Sequence, residues 1–121
     1  MGKGYEVQIT MITDCPVTYA LNIIGGKWRF PIIWALSQSP VLRYNELKRT
    51  LNGITNMMLT QSLKELEGYG LIHREQFSEI PPRVEYSLTE DGLALQPVMN
   101  ELDKWGAREM AIHKQSEQSR S

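Results

Sequence analysis

The sequence predicts a mainly α-helical protein with a small β-ribbon, an α+β fold, and three observations predict it. Apolar residues recur at three- and four-residue steps in several segments between residues 14 and 113, the spacing of one face of a helix. Between residues 71 and 89 the pattern changes to two short alternating runs, LIHREQF and RVEYSLT, separated by SEIPP, which is β-type composition around a turn too long for a tight two-residue hairpin. The length of 121 residues suits one domain, since a chain of this size buries roughly two thirds of its unfolded surface.

The elements follow in order. Residues 1–13 carry no helical period and are read as an N-terminal arm. The first helix starts at Asp14 or Cys15, either of which can cap it, and Pro16 suits its first turn; Val17, Ala20, Leu21 and Ile24 share a face before Gly25-Gly26 ends it. In KWRFPIIWALSQ, Trp28, Ile32, Ala35 and Leu36 form one stripe, and Phe30, Ile33 and Trp34 make the segment apolar on most sides. Such a helix belongs in the middle of a core. Pro31 must lie near its start, because deeper inside it would remove a backbone hydrogen bond.

After the break at SQSP, VLRY can form a short strand, and Asn45 can cap a third helix, ELKRTL, closed by Asn52-Gly53. Thr55 caps a fourth helix that runs to about Gly68. At about 100° per residue, Leu59, Ser62, Leu63 and Leu66 fall on one side of it, and Asn56, Met57, Thr60, Gln61 and Lys64 on the other. The two β-runs form a two-stranded ribbon. Thr89 caps a last long helix, bent at Pro97, in which Leu95, Val98, Leu102 and Trp105 recur at helix-contact spacing. Residues 114–121, KQSEQSRS, are polar and expected to be disordered, which leaves 14–113 as the folded domain.

A short helix, a turn, an amphipathic helix and a β-ribbon is the order of a winged helix-turn-helix. A B-DNA major groove admits one α-helix, and its base edges are read by groups that donate and accept hydrogen bonds. Asn56, Thr60, Gln61 and Lys64 supply such groups, with Thr55 and Met57 beside them. The bland alternative is a solvated helix face. Arg83 follows Pro81-Pro82 at the ribbon tip, where a guanidinium on a stiff projection suits a phosphate or a minor groove. Arg43, Lys48, Arg49, Lys64 and Arg74 are further phosphate candidates; against these six cations the segment 43–88 sets Glu46, Glu65, Glu67, Glu75, Glu79 and Glu85, so its net charge is zero. DNA binding therefore requires the charges to be sorted to one face.

Composition restricts the other possibilities. A net charge of −1 and a charged fraction of 22% describe an ordinary protein and not a polycation that binds nucleic acid indiscriminately. No apolar run approaches the ~20 residues that span a bilayer, and MGKGYEVQITMIT lacks a signal-peptide core, so the expectation is a cytoplasmic protein with no membrane partner. Glu6 stands where a myristoylation signal needs Ser or Thr. Cys15 is the single cysteine, and His73 and His113 are the only histidines, which leaves no internal disulfide, no zinc spacing and no expected cofactor. Neither a nucleophile with a base nor a phosphate-cradling glycine loop is present, so an enzyme is not expected. Cys15 does lie at the mouth of the first helix, where free N–H groups and the helix dipole favour a thiolate; a structural cap is the other reading.

CPVTYALNIIGGKW, RYNELKRTLNGI, LTQSLKELEGYGLI, PPRVEYSLTEDG and PVMNELDKWG, in that order, resemble the HxlR-type (DUF24) branch of the MarR-like winged-helix regulators. The resemblance implies a homodimeric bacterial transcription regulator on a roughly palindromic operator, with the fourth helix reading DNA, the ribbon as wing, and the first and last helices forming the dimer interface. It also implies a sensing role for the cysteine of the CP motif, through which a small thiol or electrophile would act on Cys15. Met57 stands where the family often has a basic or polar residue, and Pro31 where it has an aliphatic one, which points to an irregular start of the second helix. A repressor controlled by a small molecule near Trp28, Trp34 or Trp105, and a winged helix that binds protein, are the rival readings.

Overall fold

The computed structural model describes residues 15–120, with side chains as far as Ser116; the N-terminal arm at 1–13 lies outside the described residues. In chain order the elements are α1 (Pro16–Ile24), α2 (Arg29–Ser37), β1 (Leu42–Arg43), α3 (Tyr44–Thr50), α4 (Asn56–Gly68), β2 (Ile72–Phe77), β3 (Arg83–Leu88), α5 (Glu90–Leu93) and α6 (Gln96–Arg120). The core is built around α2, whose Ile32, Ile33, Ala35 and Leu36 are buried, while Trp28, Phe30 and Trp34 pack half-buried at its margin. Pro31 sits in the first turn of α2, where a missing N–H costs nothing, and the helix is regular there: the Ile32 N–H donates to the Trp28 carbonyl at 3.0 Å.

The helix α3 begins two residues earlier than the sequence suggests, at Tyr44, and does not use Asn45 as its cap. Glu46 reaches back instead, and its carboxylate accepts the Arg43 N–H at 2.7 Å. Leu47 of α3 is fully buried and fixes the helix against the core. The turn to α4 passes through Gly53 at φ 90°, a left-handed backbone that only glycine adopts without strain. Thr55 then caps α4, its hydroxyl accepting the Met58 N–H at 3.1 Å. Leu59, Ser62, Leu63 and Leu66 are the buried residues of α4, the side its periodicity selects. Burying each of the three leucines contributes roughly 1.5–3 kcal/mol.

The sheet has three antiparallel strands in the order β1-β3-β2, with Leu42 opposite Tyr86 and Ile72 opposite Leu88. The ribbon is thus extended by β1, which ties the start of α3 to the wing. Two corrections concern the C-terminal part. Thr89 caps the short α5 through the Gly92 N–H at 3.1 Å, and the chain breaks at Ala94 and Leu95 before α6, with Pro97 as the second residue of α6 and not a bend within a longer helix. A proline is accepted there because the first N–H groups of a helix have no intrahelical partner. The second correction is that α6 continues through residues 114–120, which the sequence reading leaves disordered. Elongating an existing helix fixes one residue per hydrogen bond and avoids the nucleation cost, so a polar segment of good helix formers follows a helix already anchored by buried Met99.

Candidate nucleic-acid interface

Opposite its buried leucines, α4 exposes Asn56, Met57, Thr60, Gln61 and Lys64, and Met57 is 80% exposed. Nothing among the described residues covers this face. Its polar groups are held in place. The Tyr44 hydroxyl of α3 lies 3.0 Å from the Asn56 carbonyl and 3.0 Å from Thr60 Oγ1, so the two helices share a hydrogen-bonded node at the edge of the exposed face. Gln61 donates its amide to Glu65 at 2.9 Å. Sequence reasoning missed Tyr44, because RYNEL places it at a strand-helix junction where no periodicity says which way a ring points. Thr55 has its hydroxyl committed to the cap and stands at the edge of the exposed surface.

The cations divide into two groups. Arg43, Lys48, Arg49, Lys64 and Arg74 make no ion pair among the described residues. Lys48 and Arg49 line a polar concavity with Asn45, Asn52 and Gly53 at the α3–α4 turn. Lys64 and Arg74 line a second, of about 320 Å³, between α4 and the ribbon, together with Thr60 and Glu67. Arg83 is different. Its guanidinium is 3.1 Å from Glu79 and 3.2 Å from Glu85, lies over the Phe77 ring at 4.1 Å, and its side chain is 26% exposed. The free guanidinium expected at the ribbon tip is therefore turned back onto the strands, and the tip presents fully exposed Ile80.

The acidic residues sort in the complementary way. Glu46 caps α3, Glu65 pairs with Arg29, and Glu79 and Glu85 pair with Arg83. Of the six carboxylates in segment 43–88, four are thus engaged by Arg29, Arg83 or the Arg43 N–H and a fifth, Glu75, lies 3.9 Å from the His73 imidazole, while five of the six Lys and Arg side chains make no ion pair among the described residues. A segment of zero net charge thus leaves most of its cations free of ion pairs, while Glu67 stays exposed beside Lys64 and Arg74.

Two further features surround this unit. The helix α1 has no buried residue, and Val17 (67% exposed), Tyr19 and Leu21 stand open. On α5 and α6, Leu93, Val98, Leu102, Trp105, Met110 and Ile112 are likewise exposed. Leu95, grouped with that seam from its spacing, instead packs against the core of the chain; it lies in the break before α6. A groove of about 270 Å³ lined by Phe30, Pro31, Trp34, Met99 and Leu102 runs between α2 and α6. Cys15 is exposed at the head of α1. Its thiol makes no capping hydrogen bond, but the Thr18 hydroxyl and the N–H groups of Thr18 and Val17 face it and lower its pKa. No helix among the described residues is long and apolar enough to cross a membrane.

Comparison with known proteins agrees with this arrangement. The chain matches the family described as HxlR-like helix-turn-helix over residues 23–114. An HTH-type transcriptional regulator of Halalkalibacterium halodurans, BH0655, is 42% identical over 104 residues, which cover 86% of this chain and 92% of that protein. The redox regulator HypR in its reduced form superposes with a TM-score of 0.77 at 39% identity, over 84% of this chain and 99% of HypR. The reduced form of the transcriptional regulator YodB from Bacillus subtilis gives 0.66 at 37% identity, over 75% of this chain and 89% of YodB. The family and these relatives are regulators and not enzymes. With the fold, the uncovered polar face of α4 and these matches together, the chain belongs to the HxlR-like helix-turn-helix family of MarR-like winged-helix transcription regulators.

Proposed function

We propose that the protein acts in the cytoplasm as a homodimeric, operator-binding transcription regulator in which α4 enters the DNA major groove. The observation that carries this reading is the two-sidedness of α4: leucines sealed in the core, and Asn56, Thr60, Gln61 and Lys64 uncovered on the other side. Asn and Gln match adenine edges, the Thr methyl suits thymine, and Lys suits guanine or phosphate. Met57 adds an apolar contact. Lys48, Arg49, Lys64, Arg74 and Arg43 serve as phosphate contacts, which position the helix without reading sequence. Arg83 belongs to the wing, where its carboxylate partners reduce what it can offer DNA.

The apolar residues left open on α1, α5 and α6 support pairing of two protomers through Val98, Leu102 and Trp105, with Leu93 and Val17 exposed as further apolar candidates. Pairing would place two α4 helices in successive major grooves about 34 Å apart. Selection of bound duplex from a random pool tests both points: two symmetric half-sites one helical turn apart are expected, and an unstructured or single-site pool contradicts them.

Cys15 is proposed to sense thiol stress or electrophiles. The exposed thiol, its lowered pKa and the likeness to the redox regulator HypR support this role. The thiolate is the nucleophile, so alkylation of Cys15 should reach half its maximal rate below the pH typical of a free cysteine. Thr18→Val should move that midpoint upward. Cys15→Ser should bind operator normally and no longer respond to diamide; a retained response removes the thiol from the account. The groove beside Trp34 favours a second reading, control by an apolar small molecule, which tryptophan quenching coupled to DNA release would reveal.

A further inference from the structure

Gln61 is the one reading side chain of α4 whose direction is set by a chain of charged groups reaching another helix. Its amide nitrogen lies 2.9 Å from Glu65 Oε2. The other carboxylate oxygen, Oε1, is held by Arg29, with Nε at 3.1 Å and the terminal nitrogen at 3.0 Å. The remaining nitrogen of Arg29 donates to the Asn22 and Ile23 carbonyls at 3.0 and 2.9 Å. These belong to the last turn of α1, where carbonyls have no intrahelical donor. The guanidinium also lies 5.5 Å from the centre of the Tyr69 ring, so it is fixed from several sides.

The chemistry of this chain decides how Gln61 faces DNA. The Gln61 amide and then the Arg29 guanidinium hold the Glu65 carboxyl below its usual range, so at neutral pH it is ionised and accepts hydrogen bonds only. An acceptor-only partner requires the NH2 end of Gln61 to turn toward it, which leaves the carbonyl oxygen directed away from Glu65. Arg29 at the same time cancels a negative charge that would otherwise stand beside the duplex.

We propose that Glu65, braced by Arg29 against the carboxyl end of α1, is a positioning residue that presents the Gln61 carbonyl to DNA as an acceptor, so that α4 selects a base carrying an exocyclic amino group. In the major groove those bases are adenine and cytosine, whose N6 and N4 amino groups are donors, while guanine and thymine present oxygens there. The setting of Gln61 then depends on where α1 lies. This inference rests on α4 reading bases, as proposed above.

The test is duplex selection from a random pool by the full chain and by Glu65→Gln, Arg29→Met and Gln61→Ala, with circular dichroism and melting confirming that each is folded. Glu65→Gln keeps the size of the side chain but lets the Gln61 amide turn either way. The wild-type protein is expected to show one position per half-site that takes adenine or cytosine. Gln61→Ala should lose that preference, and Glu65→Gln should weaken it by about tenfold while other positions keep theirs. Arg29→Met should weaken the same position, and in a Gln61→Ala background neither variant should have a further effect there. If Glu65→Gln retains the wild-type preference, or the position takes guanine or thymine, or all positions weaken alike, the positioning role is overturned while operator reading stands. A wild-type pool with no consensus overturns both.

Discussion

The outer face of α4 and the tip of the wing both carry polar groups beside rigid backbone, yet they are in opposite electrostatic states. On and around α4, Lys48, Arg49 and Lys64 have no ion pair among the described residues, and the carboxylate of Glu65 on the same helix is taken by Arg29. At the wing, Arg83 is closed between Glu79 and Glu85. Free cations release counterions when they meet phosphate, whereas a paired guanidinium must first give up its partners. The difference teaches that a residue's type and projection do not decide its use; the register that brings acids beside it does.

Three variants would break or sharpen that comparison, in descending order of effect. Replacing Lys48, Arg49 and Lys64 together by alanine should lower affinity for any duplex by at least roughly a hundredfold at moderate salt. With about three phosphate contacts in each protomer of the proposed dimer, the wild-type log-log salt slope should be roughly −5, and this triple variant should flatten it. An unchanged slope in titrations by fluorescence anisotropy would place the phosphate contacts elsewhere. Glu79→Gln with Glu85→Gln should release Arg83, tighten binding several-fold and steepen the slope by roughly 2 for the dimer. If it leaves binding unaltered, the wing tip does not approach DNA. Arg83→Ala should change affinity by no more than about threefold, because a partly exposed, already paired charge contributes little; a large loss would show that the wing pairs open on DNA.

Much of this architecture is legible in the sequence where a period runs long enough to be read. The buried side of α4 follows from Leu59, Ser62, Leu63 and Leu66 at helical spacing, and the Thr55 cap from a hydroxyl placed before them. Short or non-periodic features are not legible in that way. The short strand expected in VLRY is found at Leu42 and Arg43, but two residues cannot display alternation, so its pairing with β3 emerges only in three dimensions. Leu95 has the spacing of the α6 seam, but it lies in the break before Gln96 and packs against the core. Arg83 is separated from Glu79 by a turn and from Glu85 by one residue of the same strand; only the folded ribbon brings both onto the guanidinium. The pairings that close Arg83 and leave the cations around α4 without ion pairs are therefore ones that composition cannot reveal.

The claim on which the account rests is that the exposed polar groups of α4 read bases, and the most direct measurement is the ratio of operator affinity to affinity for an unrelated duplex in an Asn56→Ala, Thr60→Val double variant. The account predicts a fall in that ratio of about tenfold or more, with binding to the unrelated duplex unchanged. A ratio equal to that of the wild-type protein would contradict it.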